Sequence, residues 1–233
     1  MADGETAEVA DMKKATFRLR LHEIARHASP GRVLDVGTAS GFFLEVAQHL
    51  GWDPFGVELS DYSARLAQRK FGADRIWHGT LETAPFSPGS FDAIAMSDLL
   101  EHVLDPVATL QLAQSLLRPG GVLMVTTPDT ASLTRRLMGT RWTHYKLEHL
   151  TYWNPALLRR AAAQAGLEVL TIHPAWKVMT VRYLCTQFAV YPHPILTPIA
   201  RSISALAGGL RDAHFRIAMG EMVAILRRPA GSV

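Results

Sequence analysis

Short apolar runs alternate with amphipathic stretches of about ten to fifteen residues along most of this chain, a spacing typical of alternating strands and helices. Glycine and proline bound the apolar runs, as in Pro30-Gly31 before Val33. Such alternation is typical of parallel strands joined by right-handed helical crossovers. We therefore predict an α/β, Rossmann-like, doubly wound fold. Its sheet is mostly parallel and seven-stranded, with helices on both faces and a helical insert before the last strand.

Turn and cap residues divide the chain into elements. The predicted strands cover residues 32–37, 54–58, 75–78, 91–96, 122–125, 167–172 and 220–227. The predicted helices cover 42–50, 61–71, 105–117 and 154–166, and the last two begin with Asp105-Pro106 and Asn154-Pro155, because a capping side chain followed by proline starts a helix. Four regions follow: an N-terminal helical segment (1–29), a core (30–173), a helical insert (174–219), and the last strand with its tail (220–233).

The predicted insert has apolar residues at helical spacing, namely Ile195, Leu196, Ile199, Ile203, Leu206 and Leu210. They fit a helix packed on the domain, and they also fit a lid or an interfacial helix. Inserts of this length are usually functional, which favours the position of a lid.

Composition and charge exclude several classes of protein. A hydrophobic share of 48% and a charged share of 19% are those of a folded domain. Cys185 is the only cysteine, so no disulfide forms within the chain, as a reducing cytoplasm permits. The net charge of +3 is too small to indicate a nucleic-acid-binding protein.

The basic excess lies in residues 176–233, where it fits attraction of an anionic substrate, contact with an anionic membrane surface, or a solvated face. The charge-free run 183–200 is interrupted by Pro192, Pro194 and Pro198, so we predict no transmembrane segment. Residues 1–14 lack the apolar stretch of a signal peptide, and we expect a cytoplasmic protein.

The candidate site follows the predicted strands, because ligands in such sheets bind at the carboxyl ends of the strands. Gly37 and Gly41 allow a sharp turn there, and the helix that follows points its N-terminus at the ligand. Glu58 ends the second strand, where an acidic residue can accept bonds from ribose hydroxyls. The glycine turn alone also fits a nicotinamide cofactor or a simple tight connection.

Five motifs make the resemblance specific. Asp35-Val-Gly-Thr-Ala-Ser-Gly41 resembles motif I (D/E-x-G-x-G-x-G) of class I S-adenosylmethionine-dependent methyltransferases. The other four are Gly-Val-Glu-Leu-Ser60, Thr83-Ala-Pro-Phe-Ser-Pro-Gly-Ser-Phe-Asp92, Asp98-Leu-Leu-Glu-His-Val-Leu-Asp-Pro106 and Leu117-Arg-Pro-Gly-Gly-Val122. The match extends from about residue 30 to 172 and is most similar to the Methyltransf_23 type and the ubiquinone-pathway O-methyltransferases.

The resemblance implies that S-adenosyl-L-methionine is the cofactor and that residues 30–173 bind it. Its methionine part would lie along Asp35, Gly37, Thr38, Ala39 and Gly41. The ribose would bind Glu58, and the adenine would lie near Leu59, Thr80, Leu81 and Glu82, with Ser97 below the methyl group. Ala39 stands where the family has its middle glycine, a replacement that is tolerated if this residue has a negative φ.

Three residues are candidates for catalysis by proton transfer. His102 and His149 are candidate bases for an acceptor hydroxyl, since imidazole has a pKa near neutrality, and Glu101 stands beside His102. A structural role for each histidine stays open. Asp98, Glu101 and His102 have the spacing of one helical face and resemble the E-x-x-E-H stretch of the ubiquinone-pathway enzymes, which implies a divalent cation such as Mg²⁺. They also fit a helix start that shapes the pocket.

We therefore expect a methyltransferase that acts on a small molecule. The resemblance implies O-methylation of a partly apolar metabolite or a lipid- or glycan-linked acceptor, with 174–219 as the lid of the acceptor pocket. A sensor or partner subunit that binds the cofactor without catalysis is the alternative. A nicotinamide-dependent oxidoreductase is disfavoured by the Leu117-Arg-Pro-Gly-Gly turn. Nucleic acid is not an expected partner, because N-P-P-Y and cysteine-nucleophile motifs are absent from the sequence.

Overall fold

A computed structural model describes residues 7–190 and 196–231. Within these ranges seven strands form one sheet: β1 Arg32–Val36, β2 Asp53–Glu58, β3 Ile76–His78, β4 Phe91–Ser97, β5 Leu117–Pro128, β6 Glu168–Met179 and β7 Phe215–Arg227. The helices in the same ranges are α1 Ala7–Ala25, α2 Phe42–His49, α3 Asp61–Phe71, α4 Pro106–Leu116, α5 Leu133–Met138, α6 Pro155–Gln164, α7 Val181–Val190 and α8 Leu196–Ala207.

The strand order is β3-β2-β1-β4-β5-β7-β6. Strands β1 to β5 are parallel, and β7 is antiparallel to both of its neighbours. The predicted mostly parallel, seven-stranded sheet is confirmed. Because the chain reverses its direction of winding between β1 and β4, the connections after these strands diverge and leave a crevice at their carboxyl ends.

Two apolar clusters cover the two faces of the sheet. Successive residues of a strand point to opposite faces, so Val33 packs with the residues of α1 and α2 while Leu34 packs on the other side with α4 and α6. Phe43 on the first face and Leu110 on the second are fully buried. Burial on both faces explains why the parallel strands are continuous apolar runs rather than alternating ones.

The predicted helix starts are confirmed by their hydrogen bonds. The Asp105 carboxylate accepts a bond of 2.9 Å from the amide of Ala108, and the Asn154 side chain accepts one of 3.0 Å from the amide of Leu157. Proline follows each cap, where its missing N–H group costs no helical bond. Helix α3 has the predicted bounds, and α5 was not predicted because it is only six residues long.

The last three strands are longer than predicted. Strand β6 continues beyond residue 172 to Met179, and β7 begins at Phe215 rather than at residue 220. These extensions pair with each other, Met179 opposite Phe215, across an irregularity between Pro174 and Trp176. Many of their residues are only half-buried, so they carry no apolar run that a sequence pattern could detect. The two ends of the predicted 174–219 insert are therefore strands, and helices lie only between them.

Helix α8 contains the apolar residues that predicted a helix in the insert. Ile203 is 48% exposed and Leu206 is 87% exposed, while Ala200 is buried. The Ala200 carbonyl accepts a hydrogen bond from the Cys185 thiol of α7, against which α8 packs. Ile195 of the predicted pattern lies outside the described residues. The helix thus packs through one side and leaves an apolar side open.

Candidate active site

The turn after β1 has the sharp bend that its glycines predicted. Gly37 and Gly41 have φ values of 81° and 86°, and the amide of Gly37 donates a bond of 2.9 Å to the carbonyl of Val57. A side chain at Gly41 would approach the ring of Phe71 to 2.8 Å, so this position requires glycine for space as well as for conformation. Gly41 also directly precedes α2, whose first N–H groups face the crevice.

Ala39 does not have the negative φ under which the replacement of the middle glycine would be tolerated without strain. Its φ is 47°, in the left-handed region that costs an L-residue about 1–2 kcal/mol. The carboxylate of Glu58 accepts a bond of 2.7 Å from the Ala39 amide and one of 2.8 Å from the Ser60 amide. The charge-assisted bond to Ala39 offsets part of this cost and links the ends of β1 and β2.

A first cavity of about 350 Å³ opens beside this turn, at the carboxyl ends of β1 and β4. Five of the predicted cofactor residues line it: Asp35, Gly37, Thr38, Ala39 and Ser97. The others lie beside it. Gly41 directly precedes α2, and the Glu58 carboxylate accepts a bond from the amide of Ala39 in the turn. The remaining residues follow the ends of β2 and β3: Leu59, Thr80, Leu81 and Glu82. Leu59 is 69% exposed and Leu81 is buried.

Two buried polar side chains at this cavity are suited to a ligand. Burial raises the pKa of the Asp35 carboxyl to about 7, and the charge of Glu58 acts in the same direction while the Thr38 hydroxyl opposes it. A cationic group placed beside Asp35 would restore its ionised form. The hydroxyl of Ser97 is buried without a hydrogen-bond partner among the described residues. Such groups are rare in folded proteins and require a reason.

Helix α1 forms the outer wall of the first cavity, a role that the sequence did not indicate. Met12 and Phe17 line the cavity from α1. The helix is fixed to β6 because the Thr16 hydroxyl accepts a bond of 2.9 Å from the amide of Val178, and Glu8 accepts one of 2.7 Å from Thr180. The predicted N-terminal helical segment is therefore part of the site.

A second cavity of about 300 Å³ lies next to the first. Its apolar lining is rich in methionine, a flexible side chain that adapts to ligands of irregular shape; the apolar and aromatic residues include Met138, Met179, Tyr183, Phe188 and Met219. The ionisable residues of the lining are Asp98, Glu101, His102, His144, Lys146, His149, Lys177 and Glu221. All three predicted catalytic residues line this cavity.

Glu101, His102 and His149 come together although the two histidines are far apart in sequence. The two imidazole rings meet edge to face at 4.8 Å, and Nδ1 of His102 bonds the carbonyl of Glu148 at 3.0 Å. Glu101 is 1% exposed and accepts a bond of 2.8 Å from the Thr127 hydroxyl. Burial raises its pKa to about 7, and the nearby charge of Asp98 adds to this. Burial also lowers the pKa of His149, so its imidazole is held neutral.

The predicted helical arrangement of Asp98, Glu101 and His102 is wrong. Residues 98–102 form turns, and Asp98 has a φ of 52°, so the three side chains do not share a helical face. The carboxylate of Asp98 lies 3.6 Å from the ammonium of Lys177 instead. The potential ligand atoms that do lie within 4.8 Å of one another belong to Glu101, His102 and His149.

Four charged side chains form a network at the floor of the second cavity, and sequence reasoning missed three of them. The Lys177 ammonium lies 2.5 Å from Glu221 and 3.6 Å from Asp98, and Arg20 of α1 is buried nearby. Burial alone would lower the pKa of Lys177, but the carboxylates of Glu221 and Asp98 raise it above its usual value. Glu221 could have been noticed in the sequence, because it is a charged residue beside the apolar run of β7.

His144 lies above this network. Its Nε2 is 3.1 Å from the carbonyl of Met219 and 3.7 Å from the carboxylate of Glu221. Burial lowers the pKa of His144 to about 4, and the Lys177 ammonium lowers it further. The ring is therefore neutral at physiological pH and acts in the cavity as a hydrogen-bonding group.

No helix in the described ranges, 7–190 and 196–231, combines the length and apolar character needed to cross a membrane.

Comparison with known proteins is consistent with this geometry. The family model described as a methyltransferase domain (Methyltransf_23) matches residues 9–172. A ubiquinone biosynthesis O-methyltransferase of Xanthomonas campestris pv. campestris is 37% identical over 109 residues, 44% of this chain and 46% of that protein. One from Chromobacterium violaceum is 31% identical over 171 residues, 66% of this chain and 72% of that protein. The chain thus matches about half the length of the first relative.

Solved structures show the same fold. A SAM-dependent methyltransferase from Archaeoglobus fulgidus superposes with a TM-score of 0.62 at 19% identity, over 94% of each chain. The family match covers well over half of this chain, and the strand order and glycine turn agree with it. The chain belongs to the methyltransferase-domain family of class I S-adenosylmethionine-dependent methyltransferases.

Proposed function

We propose that this protein transfers a methyl group from S-adenosylmethionine to an oxygen atom of a partly apolar small molecule. The observation that carries the proposal is the pair of adjacent cavities, which share a wall. One borders the glycine turn, and the other is lined by two buried carboxyl groups, Glu101 and Glu221, and three histidines. Methyl transfer requires donor and acceptor to meet in line at short distance, and two cavities with a common wall provide that arrangement.

The first cavity and the turn beside it offer carboxylate acceptors suited to the ammonium and the ribose hydroxyls of this cofactor. Asp35 would bind the ammonium of the methionine part, which would restore the ionised state that burial disfavours. Each oxygen of Glu58 already accepts one backbone bond, and a carboxylate has about four acceptor sites, so two remain for ribose hydroxyls. The adenine would lie beyond Glu58, near Leu59 and residues 80–82. Ser97 would face the methyl-bearing end.

The second cavity supplies a base for a hydroxyl acceptor. When bound, the cofactor supplies an electrophilic methyl group on a sulfonium. His149, held neutral by burial, would take the hydroxyl proton as the acceptor oxygen forms its bond to the methyl carbon and the carbon–sulfur electron pair returns to sulfur. Glu101 would stabilise the resulting imidazolium, because both groups belong to the same compact cluster. His102 positions the His149 ring by edge-to-face contact.

No step is assigned to a divalent cation. The Asp98 carboxylate of the predicted ligand set pairs with the Lys177 ammonium at 3.6 Å, and it is not among the potential ligand atoms that lie within 4.8 Å of one another. The residues present therefore do not fit the predicted Mg²⁺ site. Proton transfer to His149 needs no metal.

The walls of the second cavity indicate the class of acceptor. Methionine and aromatic side chains line the cavity together with ionisable groups, which suits a partly apolar molecule that carries a hydroxyl. Residues 174–219, which include helices α7 and α8, would form the lid of the acceptor pocket. The open apolar side of α8, with Ile203 and Leu206, would allow peripheral contact with a membrane that holds a lipid-linked acceptor. We propose that the enzyme works in the cytoplasm.

The test combines binding and turnover. Calorimetry with S-adenosylhomocysteine should show binding, and a labelled methyl donor with a panel of hydroxylated aromatic acceptors should show transfer. His149→Asn should lower kcat by about 10²–10⁴ without abolishing binding of S-adenosylhomocysteine, since general-base catalysis contributes that much. His214→Asn, an exposed histidine outside both cavities, is the matched control. Binding without transfer to any acceptor would favour the non-catalytic sensor.

A further inference from the structure

Among the described residues, four line both cavities: Asp98, Lys177, Met179 and Tyr183. A methyl group that passes from a ligand in one cavity to a ligand in the other must cross between them at this shared wall. The atom that carries the methyl group therefore lies beside these four side chains. Asp98 is the one carboxylate among them.

The Asp98 carboxylate remains available to a ligand. Its side chain is 48% exposed, and two cations act on its charge: the Lys177 ammonium at 3.6 Å and the buried guanidinium of Arg20, which interacts more strongly with Glu221. That ammonium is nearer to Glu221, at 2.5 Å, so its charge is matched mainly by a different carboxylate. The Thr126 hydroxyl donates to Asp98 at 3.3 Å and fixes the carboxylate in place. Asp98 thus presents negative charge at the junction of the cavities.

We propose that Asp98 is a specificity-determining residue that selects the positively charged sulfonium form of the cofactor over the thioether product. The inference rests on the proposed function, because it takes the first cavity as the cofactor site. S-adenosylmethionine and S-adenosylhomocysteine share their nucleoside, ammonium and carboxylate, and they differ by one methyl group and one positive charge at sulfur. A fixed carboxylate near that sulfur attracts only the first of the two.

This attraction also has a consequence for turnover. After transfer the sulfur is neutral, and the carboxylate no longer contributes to binding. A unit charge several ångströms from a carboxylate, in a site of effective dielectric constant about 20, favours the cation by more than tenfold. Asp98 would therefore hold the donor before transfer and weaken binding of the product afterwards.

The experiment compares dissociation constants for S-adenosylmethionine and S-adenosylhomocysteine by calorimetry, with no acceptor present. The variant is Asp98→Asn, which keeps the shape of the side chain, and asparagine tolerates the positive φ of this position. We expect the variant to bind S-adenosylmethionine about tenfold more weakly than wild type, with little change in its affinity for S-adenosylhomocysteine. The ratio of the two dissociation constants therefore changes by about tenfold in favour of the product. Asp98→Gly, which also suits a positive φ, should shift the ratio in the same direction.

Asp11→Asn is the matched control, since it removes one negative charge from the exposed part of α1. It should leave the ratio unchanged. If both Asp98 variants remain folded by circular dichroism and keep the wild-type ratio, or weaken both ligands equally, Asp98 does not select the sulfonium. If the wild-type protein binds neither ligand, the proposed function fails, and the inference fails with it.

Discussion

Lys177→Met tests the buried charge network most directly. The variant removes an ammonium that lies 2.5 Å from Glu221, a carboxylate that is 3% exposed. Removing one partner of a buried ion pair typically costs about 3–5 kcal/mol, because the other charge stays buried without compensation. Two features place the expected cost for Lys177→Met at the lower end of this range. The Lys177 side chain is 28% exposed, and the pKa of Glu221 is raised by burial, so it can accept a proton.

We therefore expect a loss of about 3 kcal/mol in the free energy of unfolding. For a domain of this size that loss lowers Tm by roughly 6–12 °C, since each kcal/mol corresponds to about 2–4 °C. Urea unfolding at pH 7, followed by circular dichroism, measures the free energy directly. Lys146→Met is the matched control, because Lys146 is 45% exposed and lies 3.9 Å from Glu148, and it should cost less than about 1 kcal/mol.

The double variant Lys177→Met, Glu221→Gln separates charge from packing. It removes one positive and one negative group and leaves Arg20 to balance Asp98. We expect it to be more stable than the single lysine variant, within about 1–2 kcal/mol of wild type, because neutral replacement of a buried pair is often tolerated. A loss below 1 kcal/mol for Lys177→Met, or a double variant that costs the sum of the two singles, would refute the reasoning.

Three further predictions concern single positions. In the free protein Asp35 holds a proton up to about pH 7, whereas the unfolded chain releases it near pH 4. The free energy of unfolding of the wild-type protein therefore falls as pH rises through this interval. Measured by urea unfolding, the stability of Asp35→Asn relative to wild type should increase by about 1.4 kcal/mol per pH unit. Gly220→Ala should destabilise by at least about 2–3 kcal/mol, because the added methyl group would lie 2.2 Å from Thr134 at a φ of 99°. Gly89→Ala, at a φ of 70° with nothing within 4 Å, isolates the backbone effect and should cost only about 1–2 kcal/mol; equal thermal shifts for the two would contradict the steric argument. Thr127→Val removes a hydrogen bond that stabilises ionised Glu101, and carboxyl carbon-13 NMR should show the pKa of Glu101 rising by about one unit, an unchanged titration being the contrary result.

Much of the core could be predicted from the sequence because its signals are local. The apolar run of β1, the glycines after it and the capped starts of α4 and α6 depend on residues close together in the chain. For the same reason the turn residues Asp35 and Gly37 were correctly placed at the crevice. Local reasoning failed at Asp98, where regular helical spacing was assumed across residues 98–102 that form turns.

The sequence by itself determined the α/β alternation, the position of the cofactor turn and the family resemblance, since each depends on short-range patterns of apolar, glycine and capping residues. Only the tertiary structure decided which distant side chains meet. The antiparallel pairing of β6 with β7 brings Lys177 beside Glu221, 44 residues away, and the bond from Val178 to Thr16 spans 162 residues and makes α1 a wall of the first cavity. Register and packing over such separations are global properties, because each strand extension is stabilised by residues distant in the sequence and carries no pattern of its own.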